Sequence, residues 1–328
     1  MTTSRRSLSF PAAMLYALNP LRWLEARLPH SSVDHRSPLF RYEMRGAPTL
    51  LQLRQRSLRR LGLVVGMSLA AWGLWVLLMF MDMRRAADLH AGFGGLLGMY
   101  FAFTFADKLL LDFMGVSTMM SSIREDMAQG RWDLLRLSNI PAEKLVRIRQ
   151  AVGQVRAWPT LMTVVGARLS AVLLFGLHYG VLPQVTTFYG RVENLLDVMV
   201  WDDPRAVIAF TALVIVTFMA AYIYVVEPFW RLRTVTAASV AVATQKRDRT
   251  MALIFGLGAL VGIWLAQIVL SIFAALALIY MGTMSLAGEG LFAFFGFVYM
   301  GALGVSIHGM YSALTEMWIG RAVQRLSR

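Results

Sequence analysis

The sequence predicts an all-α polytopic membrane protein. Six transmembrane helices are expected, with an N-terminal cytoplasmic amphipathic helix and a short cytoplasmic helix between spans two and three. Three observations predict this. Of 328 residues, 57% are hydrophobic and only 16% charged, against roughly 45–50% and about 25% in ordinary soluble domains. Charge-free apolar runs recur along the chain, and Lys and Arg crowd into alternate connections between them. A chain this apolar needs lipid to cover it, which excludes a secreted enzyme or a cytosolic binding module. With no cysteine, disulfides, thiolate metal sites and cysteine nucleophiles are excluded as well.

The runs are Leu61–Met81, Ala91–Ala106, Leu169–Gly190, Ala206–Val226, Met251–Gly288 and Leu291–Thr315. A span needs about 20 mostly apolar residues. The second run is short, so its helix is expected to continue through Asp107, Lys108 and Asp112 toward one interface. The third is expected to start near Trp158, which carries Arg168 into the bilayer. The fifth is too long for one span and reads as a span plus a buried or re-entrant piece before Glu289.

Orientation follows from the basic residues. Segments 1–60, 116–156, 229–250 and 314–328 hold 26 Lys and Arg, whereas 82–90 and 183–204 hold only Arg84, Arg85 and Arg191. Both termini are therefore expected in the cytoplasm, in the cytoplasmic (inner) membrane. The formal charge of +13 is mainly this inside bias, and nucleic acid is not an expected partner. Trp158, Trp230 and Trp318 fall where interfacial anchors at inner helix ends would sit, and Trp201 and Tyr280 near outer ends. Arg5-Arg6 faintly resembles a twin-arginine signal. Pro11, Pro20 and Arg22 interrupt what would be its apolar core, so no cleavable signal is expected.

Three segments result: a cytoplasmic N-terminal segment 1–60, a transmembrane domain 61–315 and a basic cytoplasmic tail 316–328. Pro48 suits the first turn of a helix running toward Arg60. Leu50, Leu53, Leu58 and Leu61 gather on one side of it, opposite Gln55, Arg56, Arg59 and Arg60. Such a helix would lie on the inner leaflet, its arginines toward anionic headgroups; a topogenic charge cluster is the plainer reading.

The cytoplasmic loop 116–156 carries the most information. Span two should stay helical to about Gln129, where Gly130 breaks the pattern. A short helix over 131–138 comes next, with Trp132, Leu134, Leu135 and Leu137 as its apolar groups. Pro141 marks the next helix start, with Glu143 in its first turn and Asn139 as a nearby cap candidate. A cytoplasmic helix this apolar has no lipid to bury in and needs a protein surface.

The loop resembles the first cytoplasmic loop of the type-2 (exporter) family of ABC transporter permeases. There a consensus like E-R-E-x-G-T-W-E-L-L-x-x-T-P-L-S-x-x-E-I follows the second span. Glu125, Gly130, Trp132, Asp133, Leu134, Leu135, Leu137, Ser138 and Glu143 fall in register with it. Upstream, Pro38, Leu39, Arg41, Glu43 and Arg45 stand near the positions of the family's N-terminal N-P-V-L-x-R-E-L-R. The chain departs from the pattern at Gly130-Arg131, Ser138-Asn139 and Ile148-Arg149, which leaves a diverged, non-transporting relative as an alternative.

The resemblance implies a permease subunit that moves a substrate with ATP hydrolysed elsewhere. Its coupling helix 131–138 would dock on an ABC-type ATPase subunit through Glu125, Gly130, Trp132, Asp133, Leu134 and Leu135. A second permease copy or a paralogue would complete the transporter. None of Lys108, Lys144 and Lys246 follows a glycine, so no P-loop is present in this chain. ATP would belong to the partner, and no cofactor or catalytic residue is expected here. The alternative is a non-transporting membrane scaffold or anchoring subunit.

Charges inside the membrane are the remaining candidates. Lys108 and Asp112 share a helix face at i,i+4. Arg168 would lie roughly 15 Å into span three from Trp158, near the depth of Asp107, so an Asp107–Arg168 pair is expected to be either structural or functional. Snorkelling of all four groups to the interface is the other reading. The histidines His30, His35, His90, His178 and His308 lack metal-ligand spacing. Asp202, Asp203 and Pro204 read as the cap and first turn of span four. Methionines such as Met119 and Met120 read as lipid- and core-facing filler. Glycines 92, 94, 95 and 98 would allow close helix contact.

Overall fold

The computed structural model describes residues 39–40, 50–81, 86–130, 140–181, 204–244, 254–269, 272 and 289–326. Every regular element among them is a helix. We name them α1 (Leu50–Met81), α2 (Ala86–Ala128), α3 (Ala142–Phe175, continuing as a π-helical turn over Gly176–Val181), α4 (Pro204–Ala243), α5 (Ile254–Val269) and α6 (Glu289–Leu326).

Among the described residues, four stretches are long and apolar enough to cross a membrane: Gln55–Met81, Asp88–Met120, Ala142–Tyr179 and Val214–Ala243. The chain is thus a multi-pass membrane protein. Leu63, Met67, Phe103 and Phe218 stand on its outside, where only lipid can cover so much apolar surface. The fifth run begins as the shorter apolar helix α5; between the end of α5 and Gly288, only Ile272 lies within the described residues. The sixth run is contained in the 38-residue α6.

The helices outrun the apolar runs that announce them. α2 has 43 residues and α4 has 40, which at 1.5 Å per residue is about 60 Å, twice a hydrocarbon core of about 30 Å. The excess packs into a core of its own at one end. Met119 and Ile123 of α2 meet Leu145, Ile148 and Val152 of α3, Ala237, Val240 and Ala241 of α4, and Ile319 and Ala322 of α6. Leu39 and Phe40 are buried in the same core. A Cβ at Gly153 would collide with the Met119 thioether, so α2 and α3 approach closely there. Met119 and Met120 are both buried, as core filler.

The packing around the start of α1 and the middle of α3 adds what the apolar runs do not show. The amphipathic stretch expected to lie on the leaflet is the first part of α1 itself, which runs unbroken from Leu50. Its apolar side faces α3: Leu53 and Ser57 are buried, Leu61 packs on the same core, and Val64 rests where Gly166 leaves room. Leu58, expected on that side, is exposed. Trp158 is no interfacial anchor. α3 starts at Ala142 and passes through Trp158 and Pro159, so the indole is buried, with its N–H donating to Ser57 Oγ at 2.7 Å and its ring edge-on to Phe229. A protein partner for the indole N–H outcompetes the headgroup region. Trp230 packs on His308 and Trp318 under Arg321, while Trp201 and Tyr280 lie outside the described residues.

Among the described residues, a Cβ at Gly94 would meet the Tyr179 hydroxyl, while one at Gly92, Gly95 or Gly98 would meet nothing within 4 Å. α4 begins at Pro204, as a first-turn proline should; Asp202 and Asp203 lie outside the described residues.

Candidate functional site

The long helices carry six charged side chains into the interior at one level. α2 supplies Asp107, Lys108 and Asp112, α3 supplies Arg168, and α4 supplies Glu227 and Arg231. The acids and bases balance, three against three. Balance is required, because an unpaired ion in a dry interior costs several kcal/mol even after relaxation.

Arg231 is the best held. Its Nε donates to Asp112 Oδ1 at 2.7 Å and its Nη2 to Oδ2 at 2.5 Å, a side-on fork that fixes geometry as well as charge. Its Nη1 donates to Gln267 Oε1 of α5 at 2.7 Å, and its guanidinium lies 4.9 Å from the Trp264 ring centroid. The Trp264 indole also donates to Asp112 Oδ2 at 3.0 Å. Glu227, one turn before Arg231, accepts from the Tyr311 hydroxyl of α6 at 2.5 Å and from Arg168 Nη1 at 2.7 Å, with Arg231 Nη1 at 3.7 Å. Five helices therefore meet on two arginines, since Arg231 Nη1 also donates to the Tyr311 hydroxyl of α6 at 3.4 Å.

A proline shapes the Arg168 site. Pro228 lies inside α4 and has no N–H, so the carbonyl four residues earlier, that of Tyr224, loses its helical partner. Arg168 Nη1 fills the vacancy, donating to the Tyr224 carbonyl at 2.9 Å. The guanidinium also lies 5.0 Å from the Tyr224 ring centroid, a favourable cation–π distance. Phe101 stacks on that ring, and Thr104 is hydrogen-bonded to its hydroxyl.

Asp107 is held least. Its Oδ1 lies 3.4 Å from Arg168 Nη2, while its Oδ2 and the Arg168 Nε are buried with no hydrogen-bond partner among the described residues. Lys108 is buried with its ammonium 5.2 Å from the Phe105 ring centroid. None of the four groups snorkels out of the protein. Lys108 and Asp112 do share a face, but Arg231 and Trp264 occupy the Asp112 carboxylate.

Sequence reasoning misses Glu227 and Arg231. It ends the fourth run at Val226 and counts Arg231 among the cytoplasmic charges. The readable signal is a Glu and an Arg at i,i+4 beside an unbroken helical pattern, which pairs charges on one face. The elements that bury them, α2, α5 and α6, are remote in sequence.

Of the residues assigned to partner contact, Glu125 is exposed and accepts from Gln129 Nε2 at 3.3 Å. Gly130 has φ 69°, the left-handed conformation in which glycine ends a helix at no steric cost. Trp132, Asp133, Leu134, Leu135 and the rest of 131–138 lie outside the described residues. The flanks of this segment are clamped: Arg149 of α3 pairs with Asp126 of α2 at 2.5 Å, and Arg147 bridges Glu143 to Glu316 of α6. α3 starts directly after Pro141, with no side-chain cap. At the other end of the spans His90 and His178 stack 4.1 Å apart; among the described residues no group of three or more metal-ligating side chains of the His, Asp or Glu type could hold a metal ion.

Compared with family models, with curated proteins and with solved structures, the chain matches none.

Proposed function

We propose that this chain is the membrane-spanning subunit of an ABC-type exporter of the inner membrane, moving its substrate with ATP hydrolysed by a separate ATPase subunit. It works as a pair with a second copy or a paralogue, through six spans with both termini cytoplasmic. One observation carries the reading. α2 and α3 run unbroken from the ionic network to the two ends of segment 131–138, clamped together by Asp126–Arg149 just before it. From Asp112 to Ala128 is about 24 Å of continuous helix, so a push on that segment reaches the buried charges through rigid elements. In this reading the motif residues Glu125, Gly130, Trp132, Asp133, Leu134 and Leu135 would receive such a push; Trp132 to Leu135 lie outside the described residues.

The test is the double variant Trp132→Ala with Leu135→Asp. A tryptophan shielded from water at a protein contact is a frequent hot spot, and its truncation costs about 2 kcal/mol or more of binding. The variant is expected to stay inserted and folded but to lose its co-purifying ATPase and the substrate-stimulated ATP turnover. Full partner retention with normal turnover would overturn the assignment and favour a membrane scaffold. Orientation has its own check. Because the chain has no cysteine, a single cysteine at Gln129 is expected to resist an impermeant reagent added outside intact cells and to react after lysis. Labelling from outside would invert the topology.

A further inference from the structure

One stripe of α3 is left uncovered by its neighbours. Arg156 and Thr163 are exposed and Pro159, Thr160 and Ala167 half-buried, whereas the other residues from 157 to 166 are all buried. Spacings of three and four residues put these five on one face. α1 packs to one side of the stripe, through Ser57 and Val64. α2 packs to the other, through Met119 and through the Tyr100 hydroxyl, which donates to the Ala167 carbonyl at 3.2 Å. Further out the two helices close over the same face: Ser170 and Leu174 are buried, and Trp75 of α1 donates to the Leu89 carbonyl of α2 at 3.0 Å. The result is a groove with α3 as its floor. From Arg156 to Ala167 it runs about 17 Å, close to the ~15 Å of hydrocarbon in one leaflet.

The two ends of the groove differ in chemistry. At the inner end Arg156 is joined by Arg56 and Arg60 of α1, both exposed. Counted at about 100° per residue from Ser57, these two lie on the flank of α1 that borders the groove, and Arg59 does not. The Ser57–Trp158 contact sets all three arginines within about 8 Å along the bundle. Among the described residues none of them is paired with a carboxylate. Glu125, on this side of α2, lies about 13 Å further in, counted from the Met119–Gly153 contact. The outer part is apolar. Met67 of α1 and Leu110 and Phe103 of α2 are exposed along it, and the Thr163 hydroxyl is spent on the Pro159 carbonyl at 3.2 Å.

We propose that this groove holds one anionic phospholipid, its phosphate against Arg56, Arg60 and Arg156 and an acyl chain along Thr163 toward Ala167. Arginines at the edge of a span reach for headgroup oxygens, and the guanidinium fork matches a phosphate. Three unpaired positive charges select an anionic over a zwitterionic headgroup. The apolar length above them selects a lipid over a free phosphate. Bound there, the lipid wedges α1 and α2 apart at their inner ends while Trp75 ties them at the outer ones. The site requires neither the ATPase partner nor a transported substrate.

Native mass spectrometry of the full-length protein tests this, after release from nanodiscs of mixed dioleoylphosphatidylglycerol and dioleoylphosphatidylcholine. One phosphatidylglycerol is expected to stay bound in preference to phosphatidylcholine. Arg60→Gln with Arg156→Gln is expected to lower its occupancy by about tenfold or more, as the loss of two charges near a phosphate allows. Arg59→Gln with Arg233→Gln removes the same charge from exposed arginines off the groove and should leave the occupancy unchanged. Thr163→Trp fills the acyl path, keeps every arginine and should displace the lipid. Added glycerol phosphate should not compete. Equal retention of the two lipids, or an equal loss in the Arg59 and Arg233 control, would overturn the site in favour of general surface charge. Displacement by glycerol phosphate would overturn it in favour of a free anion. If the Arg60 and Arg156 variant fails to fold, undiminished occupancy in Thr163→Trp still overturns the proposal.

Discussion

Arg231→Met is expected to be the most damaging single substitution in the chain, costing about 3–5 kcal/mol of stability, the range for breaking a buried ion pair from one side. Arg231 holds Asp112 through a fork, bonds Gln267 and lies near Glu227 and the Trp264 ring. Its loss strands a carboxylate on α2 and weakens the ties of α4 to α5. Arg231→Lys keeps the charge but cannot reproduce the fork, so it should recover only part of the loss. Pairing Arg231→Met with Asp112→Asn should recover more than the lysine does, because the stranded charge then disappears. Melting in mild detergent reads all three variants. A double variant no more stable than Arg231→Met alone would show that Asp112 is not dry in the folded protein.

Arg168→Leu is expected to destabilise more than Asp107→Asn, and the double variant to regain only a fraction of the difference. From Asp107 and Arg168 alone, removing both partners of a pair should cost little. The structure adds Glu227, at 2.7 Å the shorter of the two contacts, and Glu227 stays charged when Asp107 and Arg168 are both neutralised. The triple variant that also carries Glu227→Gln leaves Lys108 and Arg231 against Asp112 alone and should recover no further, since in the double variant Glu227 keeps the Tyr311 hydroxyl and Arg231 beside it. A double-mutant cycle on melting measures the coupling. Additive effects for Arg168 with Glu227 would place the two groups in solvated environments and dissolve the network.

Much of the membrane-spanning plan is legible residue by residue. The first, second and fourth apolar runs lie in helices, as does the third as far as Val181, and Gly130 ends α2 with a positive φ because a residue without a Cβ turns there most cheaply. Pro141 and Pro204 stand at the starts of α3 and α4, since a proline's missing N–H is harmless at that position. Helix lengths are less legible. A hydropathy run stops at the first charge, but a helix continues through Glu227, Arg231 and Arg149 whenever neighbouring helices supply partners for them. Trp158 is misread for the same reason: an indole at a membrane depth that suits the interface also suits a serine on an adjacent helix, and only packing chooses Ser57.

The sequence by itself determines that the chain is helical and crosses a membrane, because a backbone in lipid must satisfy its own polar groups within each segment and apolar runs of span length leave little else. It also determines where several helices start and stop, since caps and breakers act within a turn. Helical depth suggests Asp107 with Arg168, but the other charge contacts were decided by tertiary structure. Asp112 and Arg231 are 119 residues apart, and nothing local distinguishes an arginine bound for the cytoplasm from one bound for a carboxylate in the interior. Pro228 makes the same point in one residue: the sequence says that the Tyr224 carbonyl loses its helical partner, and the fold supplies Arg168 to fill it.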